Sequence, residues 1–273
     1  MLRLLRYLRH GPLRRFSPFW LWLGGGYRRF VHGMNLTIRQ HIGPYGPFRL
    51  DARFAFSNFS EWGGAHNDGF RDCVEACRGK KCVIDVGAHV GLVSLPALSV
   101  MAPTGTLVAF EPATANRTLL LRHLMLNGYD LRARVESALV GAEERDDARF
   151  FEMAEHTGMN TIVPGAMDAR YETVARKQTT LDAYCSRYGL APEIIKIDVE
   201  GAELSVLEGA RSTLQRHRPA IFLSVHPRQI RLLGQTPEML MQLIDSLGYV
   251  CRHVDGSSVT TFALREYILT SRE

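Results

Sequence analysis

The stretch CVIDVGAHVGLVSLPALSV, residues 82–100, reads as a strand, a tight turn and a helix. Cys82 to Val86 is apolar and rich in β-branched residues. Gly87 and Gly91 free the backbone for a sharp turn, and the apolar run from Leu92 predicts a helix that Pro103 must end. Glycines at the mouth of such a strand let the main chain approach a ligand at the carboxyl edge of a sheet, where doubly wound folds bind.

The pattern repeats outward from there. TLVAF (106–110) predicts a second strand, and the run from Glu111 predicts a helix that stops at Asn127-Gly128. RARVESALV (132–140) reads as a third strand. Residues 142–180 are polar and less periodic, with strand-like runs at ARFFEM and ETVARKQTT, and TTLDAYCSRYG reads as a capped short helix. IIKIDV, a helix from Ala202 to about Leu214, PAIFLSV (219–225), a helix over 237–248, YVCRHV and LREYILT complete the series. Strands separated by helices imply βαβ units, hence an α/β fold with a mainly parallel sheet covered on both faces.

Composition limits the options. The chain has 273 residues, 46% hydrophobic and 22% charged, with no run of about 18 apolar residues that would cross a bilayer. The net charge of +5 is concentrated: nine of the 33 basic residues are arginines within the first fifty positions, which hold no Asp or Glu, while the rest carries 24 basic and all 28 acidic residues. We expect a basic, amphipathic N-terminal arm over residues 1–50 and one domain over 51–273 with a variable insert at 142–180. That distribution argues against nucleic-acid binding by the body. The arm, with Phe16, Phe19, Trp20 and Trp22 beside arginines, suits either a membrane interface or docking on the body or on a second copy in a homodimer. Its apolar core FWLWL is too short for a signal peptide. Five cysteines without CxxC spacing predict reduced thiols, a cytoplasmic location with peripheral membrane contact through the arm as the variant, and no metal site.

Two features carry chemistry. Glu111 lies at the tip of the second strand, about twenty residues past the glycine turn, the place from which an acid reaches ribose hydroxyls. The spacing D-x-G-x-x-x-G around Asp85, in place of G-x-G-x-x-G, points to a nucleoside without a pyrophosphate. In IIKIDVEGAEL (194–204), Lys196, Asp198 and Glu200 occupy alternate positions and share one side of the sheet if the chain stays extended. Charge there implies a task or a partner, because burying it is costly.

VIDVGAHVG, AFEPATANRTLLLRHLMLNG and KIDVEGAELSVLEGA together resemble the FkbM family of methyltransferases, across residues 82 to about 226. The resemblance implies a class I methyltransferase (Rossmann-like) fold with seven mostly parallel strands, the last antiparallel. It also implies S-adenosyl-L-methionine as cofactor, no metal, and a hydroxyl acceptor on a sugar, glycan or secondary metabolite. Carried over by position, Asp85, Gly87, Ala88, His89, Gly91 and Asp198 line the cofactor, Glu111 with Pro112 holds its ribose, and Ser137 with Ala138 flanks adenine. The chain has His89 where the family usually shows Asn, and His66-Asn67 near a common glutamate. His226, ending the strand IFLSV, is the candidate base; Asp198 competes for that role, His89 is a third candidate, and Lys196 balances the carboxylates. The rival readings are an NAD-dependent oxidoreductase, disfavoured by the glycine spacing, and a membrane-peripheral module with a vestigial pocket.

Overall fold

Side chains on the central strands alternate between two apolar layers. Val83 belongs to one buried cluster and Ile84 and Val86 to the other; Leu107 and Ala109 separate in the same way from Val108 and Phe110, and Ile194 from Ile195 and Ile197. A sheet apolar on both faces must be covered on both. The computed structural model describes residues 26, 34–63, 67–153, 160, 162–163 and 171–272.

The sheet has seven strands in the order β11-β12-β10-β9-β3-β4-β5. These are β3 (Cys82–Val86), β4 (Thr106–Phe110), β5 (Ala133–Glu136), β9 (Ile194–Ile197), β10 (Ala220–Val225), β11 (Tyr249–His253) and β12 (Arg265–Ser271). β3, β4, β5, β9 and β10 pair in parallel, and β12 runs antiparallel to both β10 and β11. This is the α/β fold that the strand–helix alternation predicted, with the antiparallel last strand that the family resemblance implied.

One face is covered by α1 (Phe70–Ala76), α2 (Ser94–Val100) and α3 (Thr114–Leu126), through Phe70, Leu95, Leu98, Leu120 and Leu124. The other is covered by α4 (Leu181–Tyr188), α5 (Glu203–Glu208), α6 (Arg211–His217), α7 (Pro227–Leu232) and α8 (Pro237–Ser246), through Tyr184, Leu207, Leu214, Ile230 and Leu240. Thr180 caps α4 by accepting from the Ala183 N–H, and left-handed Gly189 ends it.

Three sequence expectations are corrected. Residues 132–140 do not form one strand: β5 ends at Glu136, and Leu139–Val140 (β6) leaves the main sheet to pair with β8 (Tyr171–Thr179). With β7 (Arg145–Met153), these make a second sheet in the order β6-β8-β7, two of whose strands come from the insert. The helix expected over 202–214 breaks into α5 and α6 at Gly209, where a Cβ would lie 2.0 Å from the Gly141 carbonyl oxygen. The end of the presumed arm is not an arm: β1 (Thr37–Ile42) and β2 (Tyr45–Asp51) form an antiparallel hairpin that buries Ile42, Phe48 and Leu50 in the α1–α3 layer. Each such side chain contributes about 1.5–3 kcal/mol by leaving water. The remainder of the arm to residue 33, apart from Gly26, lies outside the described residues, as does His66.

All five cysteines are free. No helix among the described residues is long and apolar enough to cross a membrane.

Candidate functional site

The carboxyl ends of β3, β4, β9 and β10 open into a cleft of ≈ 980 Å³. Its floor is a close meeting of two strand tips. Gly87 has φ +86° and lies so near β9 that a Cβ would sit 1.9 Å from the Asp198 carbonyl oxygen, so only glycine fits. The Gly87 and Ala88 N–H groups both donate to the Phe110 carbonyl, at 2.9 and 3.0 Å, fixing the turn against β4. Gly91, φ +92°, serves the turn too, but it packs on Leu120 and Leu95 and is not among the residues lining the cleft.

Glu111, at the tip of β4, is buried and lines the cleft. Its Oε2 accepts from the His89 N–H at 2.7 Å, and its Oε1 accepts from the Ala113 N–H at 3.0 Å and from the Asn116 amide at 3.4 Å. Burial dominates these donors and pushes the carboxyl up to about 7. These bonds hold the carboxylate plane in place while leaving lone pairs for a ligand. Pro112 and Ala138 also line the cleft. Ser137 does not: it is exposed, because the chain turns there to pass from the main sheet to the second one.

Beneath the cleft lies buried charge. Asp85 accepts from the Ser94 hydroxyl at 2.6 Å, and burial raises it to about 6 against that bond and the nearby Lys196. Lys196, opposite Asp85 in the β3–β9 ladder, donates to Ser224 Oγ at 2.7 Å and pairs with Glu266 at 3.0 Å and with Asp198 at 3.6 Å. Burial alone would lower the ammonium, but Glu266 and Asp198 outweigh it and raise it. Lys196 thus balances carboxylates as the sequence suggested, with its nearest acid on β12.

The acidic pole sits where β9 and β10 end. Extended backbone stops at Ile197, and Glu200 reaches the pole from a turn with φ +52°. His226 follows β10 directly and is 7% exposed. Its Nδ1 is 2.6 Å from Oε1 of Glu203, which has no exposure and also accepts from the Gly201 N–H at 3.1 Å. Its Nε2 faces Glu200 Oε1 at 3.5 Å and Asp198 Oδ1 at 3.7 Å. Burial opposes charge on this ring, yet the Glu203 bond and the charges of Glu200 and Asp198 prevail and lift it to about 9. Burial moves Glu200 up to about 7, against His226 and with Asp198. A histidine among three carboxylates holds its proton near neutrality, which counts against His226 as a free-standing base. Glu200 titrates in the range a general base requires.

The structure therefore brings Asp85, Gly87, Ala88, His89, Glu111, Pro112, Ala138, Lys196, Asp198 and His226 to one cleft, and leaves Gly91 and Ser137 out of its lining. The sequence reading missed Glu203 and Glu266, the partners of His226 and Lys196. The only trace was an acid inside otherwise apolar runs, GAEL and EYIL. One cleft wall is formed by Glu143, Arg145, Phe150 and Gln178 of the 142–180 insert, a region the sequence offered as pocket-forming without singling out these side chains.

A family model described as the methyltransferase FkbM domain matches residues 85–251. No curated protein matches the chain in sequence. Among solved structures, methyltransferase FkbM from Methylobacillus flagellatus KT is 22% identical with a TM-score of 0.47, over 71% of this chain and 44% of its own. The chain thus spans less than half the length of that protein. A putative O-methyltransferase from Klebsiella pneumoniae is 12% identical with a TM-score of 0.45, over 76% of this chain and 81% of its own. Precorrin-6y C5,15-methyltransferase from Geobacter metallireducens GS-15 is 12% identical with a TM-score of 0.43, over 77% and 89%.

Proposed function

Because the chain belongs to the FkbM family of methyltransferases, we propose that it transfers a methyl group from S-adenosyl-L-methionine to a hydroxyl of a sugar, glycan or secondary metabolite. When bound, that cofactor supplies an electrophilic methyl group on a sulfonium.

The residues present fit such a ligand. Gly87, Ala88, His89 and Pro112 offer a close backbone approach at the tips of β3 and β4. Glu111, held by two backbone N–H groups, is placed to accept the ribose hydroxyls. Ala138 would lie beside adenine. Asp198, 36% exposed at its side chain, adds negative charge at the edge of the same cleft, which favours a sulfonium. The acceptor would then enter between the second sheet and the acidic pole, where Asp198, Glu200 and His226 offer a route for the hydroxyl proton. Alignment of the oxygen in this cleft, orientation of the kind that supplies up to about 7–11 kcal/mol of a barrier, would be the main source of acceleration.

The observation that carries the reading is the sharing of one cleft by a ribose-type acid, Glu111, and a proton-handling pole at the next strand tips. Calorimetry with S-adenosylhomocysteine and with NAD tests it. We expect only the former to bind, and Glu111→Ala to weaken it on the order of 10- to 100-fold, the loss of a hydrogen bond to a charged acceptor. Unchanged affinity in that variant contradicts the ribose role, and binding of NAD contradicts the assignment. Incubating cell extract with isotope-labelled methyl donor and analysing the product by mass spectrometry identifies the acceptor.

A further inference from the structure

Asp198, Glu200 and His226 each offer one ligand atom, and the three atoms lie within 4.8 Å of one another. Asp198 and Glu200 follow β9 and His226 follows β10, so the three converge from neighbouring strand tips. The imidazole is the informative member. It is more than nine-tenths buried, its Nδ1 is anchored by Glu203 at 2.6 Å, and its Nε2 is paired with the two carboxylates, so a metal ion there would take the place of the ring's second proton. That nitrogen points between two carboxylate oxygens at 3.5 and 3.7 Å. A carboxylate behind one ring nitrogen, with the other nitrogen turned toward acids, is the arrangement that orients a histidine toward a metal.

The spacing agrees. Imidazole nitrogen and carboxylate oxygen bind a divalent ion at about 2.0–2.2 Å, so neighbouring ligands around one ion stand roughly 3.0–3.5 Å apart. The two nitrogen–oxygen separations need to close by only a few tenths of an ångström, and the two carboxylates, within 4.8 Å of each other, must draw together around the ion. Glu200, whose side chain is 27% exposed, and Asp198 both line the cleft, so an ion there would keep positions open to it. Gln229 Nε2 donates to the other Glu200 oxygen at 3.4 Å, steadying the carboxylate from behind.

We propose that Asp198, Glu200 and His226 bind one divalent cation with open coordination positions facing the cleft, and that it receives the oxygen of the acceptor. One nitrogen and two carboxylates suit Mn²⁺ or Zn²⁺ better than an ion that prefers oxygen alone. The second part rests on the methyl-transfer reading; the first does not. It also departs from the metal independence that the family resemblance implied.

The test is titration of the full chain, stripped of metal with a chelator, with Mn²⁺ followed by electron paramagnetic resonance, and with Zn²⁺ in competition. One Mn²⁺ per chain is expected, displaced by stoichiometric Zn²⁺. Affinity should fall at least 10-fold in His226→Ala and in Glu200→Gln, while both variants retain S-adenosylhomocysteine binding as proof of an intact cleft. Absence of stoichiometric binding in the natural chain, or equal binding in His226→Ala, overturns the site. Metal binding without any S-adenosylhomocysteine binding leaves the ion in place and overturns the acceptor role together with the methyl-transfer reading.

Discussion

Lys196 and Glu266 are each 4% exposed and stand 3.0 Å apart beneath the cleft. Buried pairs of this kind gain little over apolar residues of similar volume, but removing one partner leaves an uncompensated charge, at a cost of about 3–5 kcal/mol. Lys196→Met should therefore destabilise the chain by that amount in urea unfolding, and Lys196→Met with Glu266→Leu should recover most of it. Equal destabilisation in the single and double variants would show that the pair is not coupled. At this scale the sequence exposed half of each arrangement. A lysine in IIKI announces a partner, but nothing local says that it is Glu266, seventy residues on and antiparallel. His226 was visible as a strand-end imidazole; its orientation depends on Glu203, which looks in the sequence like an ordinary first-turn acid.

His123, on α3, ties elements together. Its Nδ1 faces the Val90 carbonyl at 2.8 Å and its Nε2 accepts from the Asp51 N–H at 3.0 Å, so a neutral ring joins the β1–β2 hairpin to the turn after β3. Burial lowers it from 6.5 to about 4, against the Val90 bond. The folded value is depressed, so this contribution to stability is complete above pH 6.5 and disappears as pH falls through 4. The loss is about 3 kcal/mol. Thermal unfolding between pH 7 and 4 should show this slope in the natural chain and lack it in His123→Phe, whose ring does not titrate; parallel profiles would refute it. β3 and β4 were legible to the residue, because a continuous apolar run between turn residues has one reading. Residues 132–140 were not, because the alternation continues through Ser137 and only the partner, β5's neighbour or β8, tells one strand from two. The hairpin was obscured by the prolines and glycines of HIGPYGPF, which break the alternation of the two strands that bury Ile42 and Leu50.

For the whole molecule, the hairpin makes residues 37–51 part of the packed domain. A chain beginning at residue 34 keeps both strands of the hairpin and serves as the reference. One beginning at residue 45 loses β1 and the buried Ile42, and should unfold several degrees lower, because about 1.5–3 kcal/mol of burial and the ladder to β2 are gone. Scanning calorimetry of the two decides it, and equal midpoints would mean that the hairpin is dispensable. The second sheet has a different consequence. It is fastened to the β4 tip by Arg176, which donates to the Pro112 carbonyl at 2.9 Å, the Thr114 hydroxyl at 2.9 Å and Glu152 at 2.7 Å. It supplies one wall of the cleft but neither Glu111 nor the β9 and β10 tips. Changes in the cleft wall can thus accumulate in a panel joined to the β4 tip through Arg176, Glu152 and the Ala113–Leu139–Phe150 contact, while the strand tips that carry Glu111, Asp198 and His226 stay as they are.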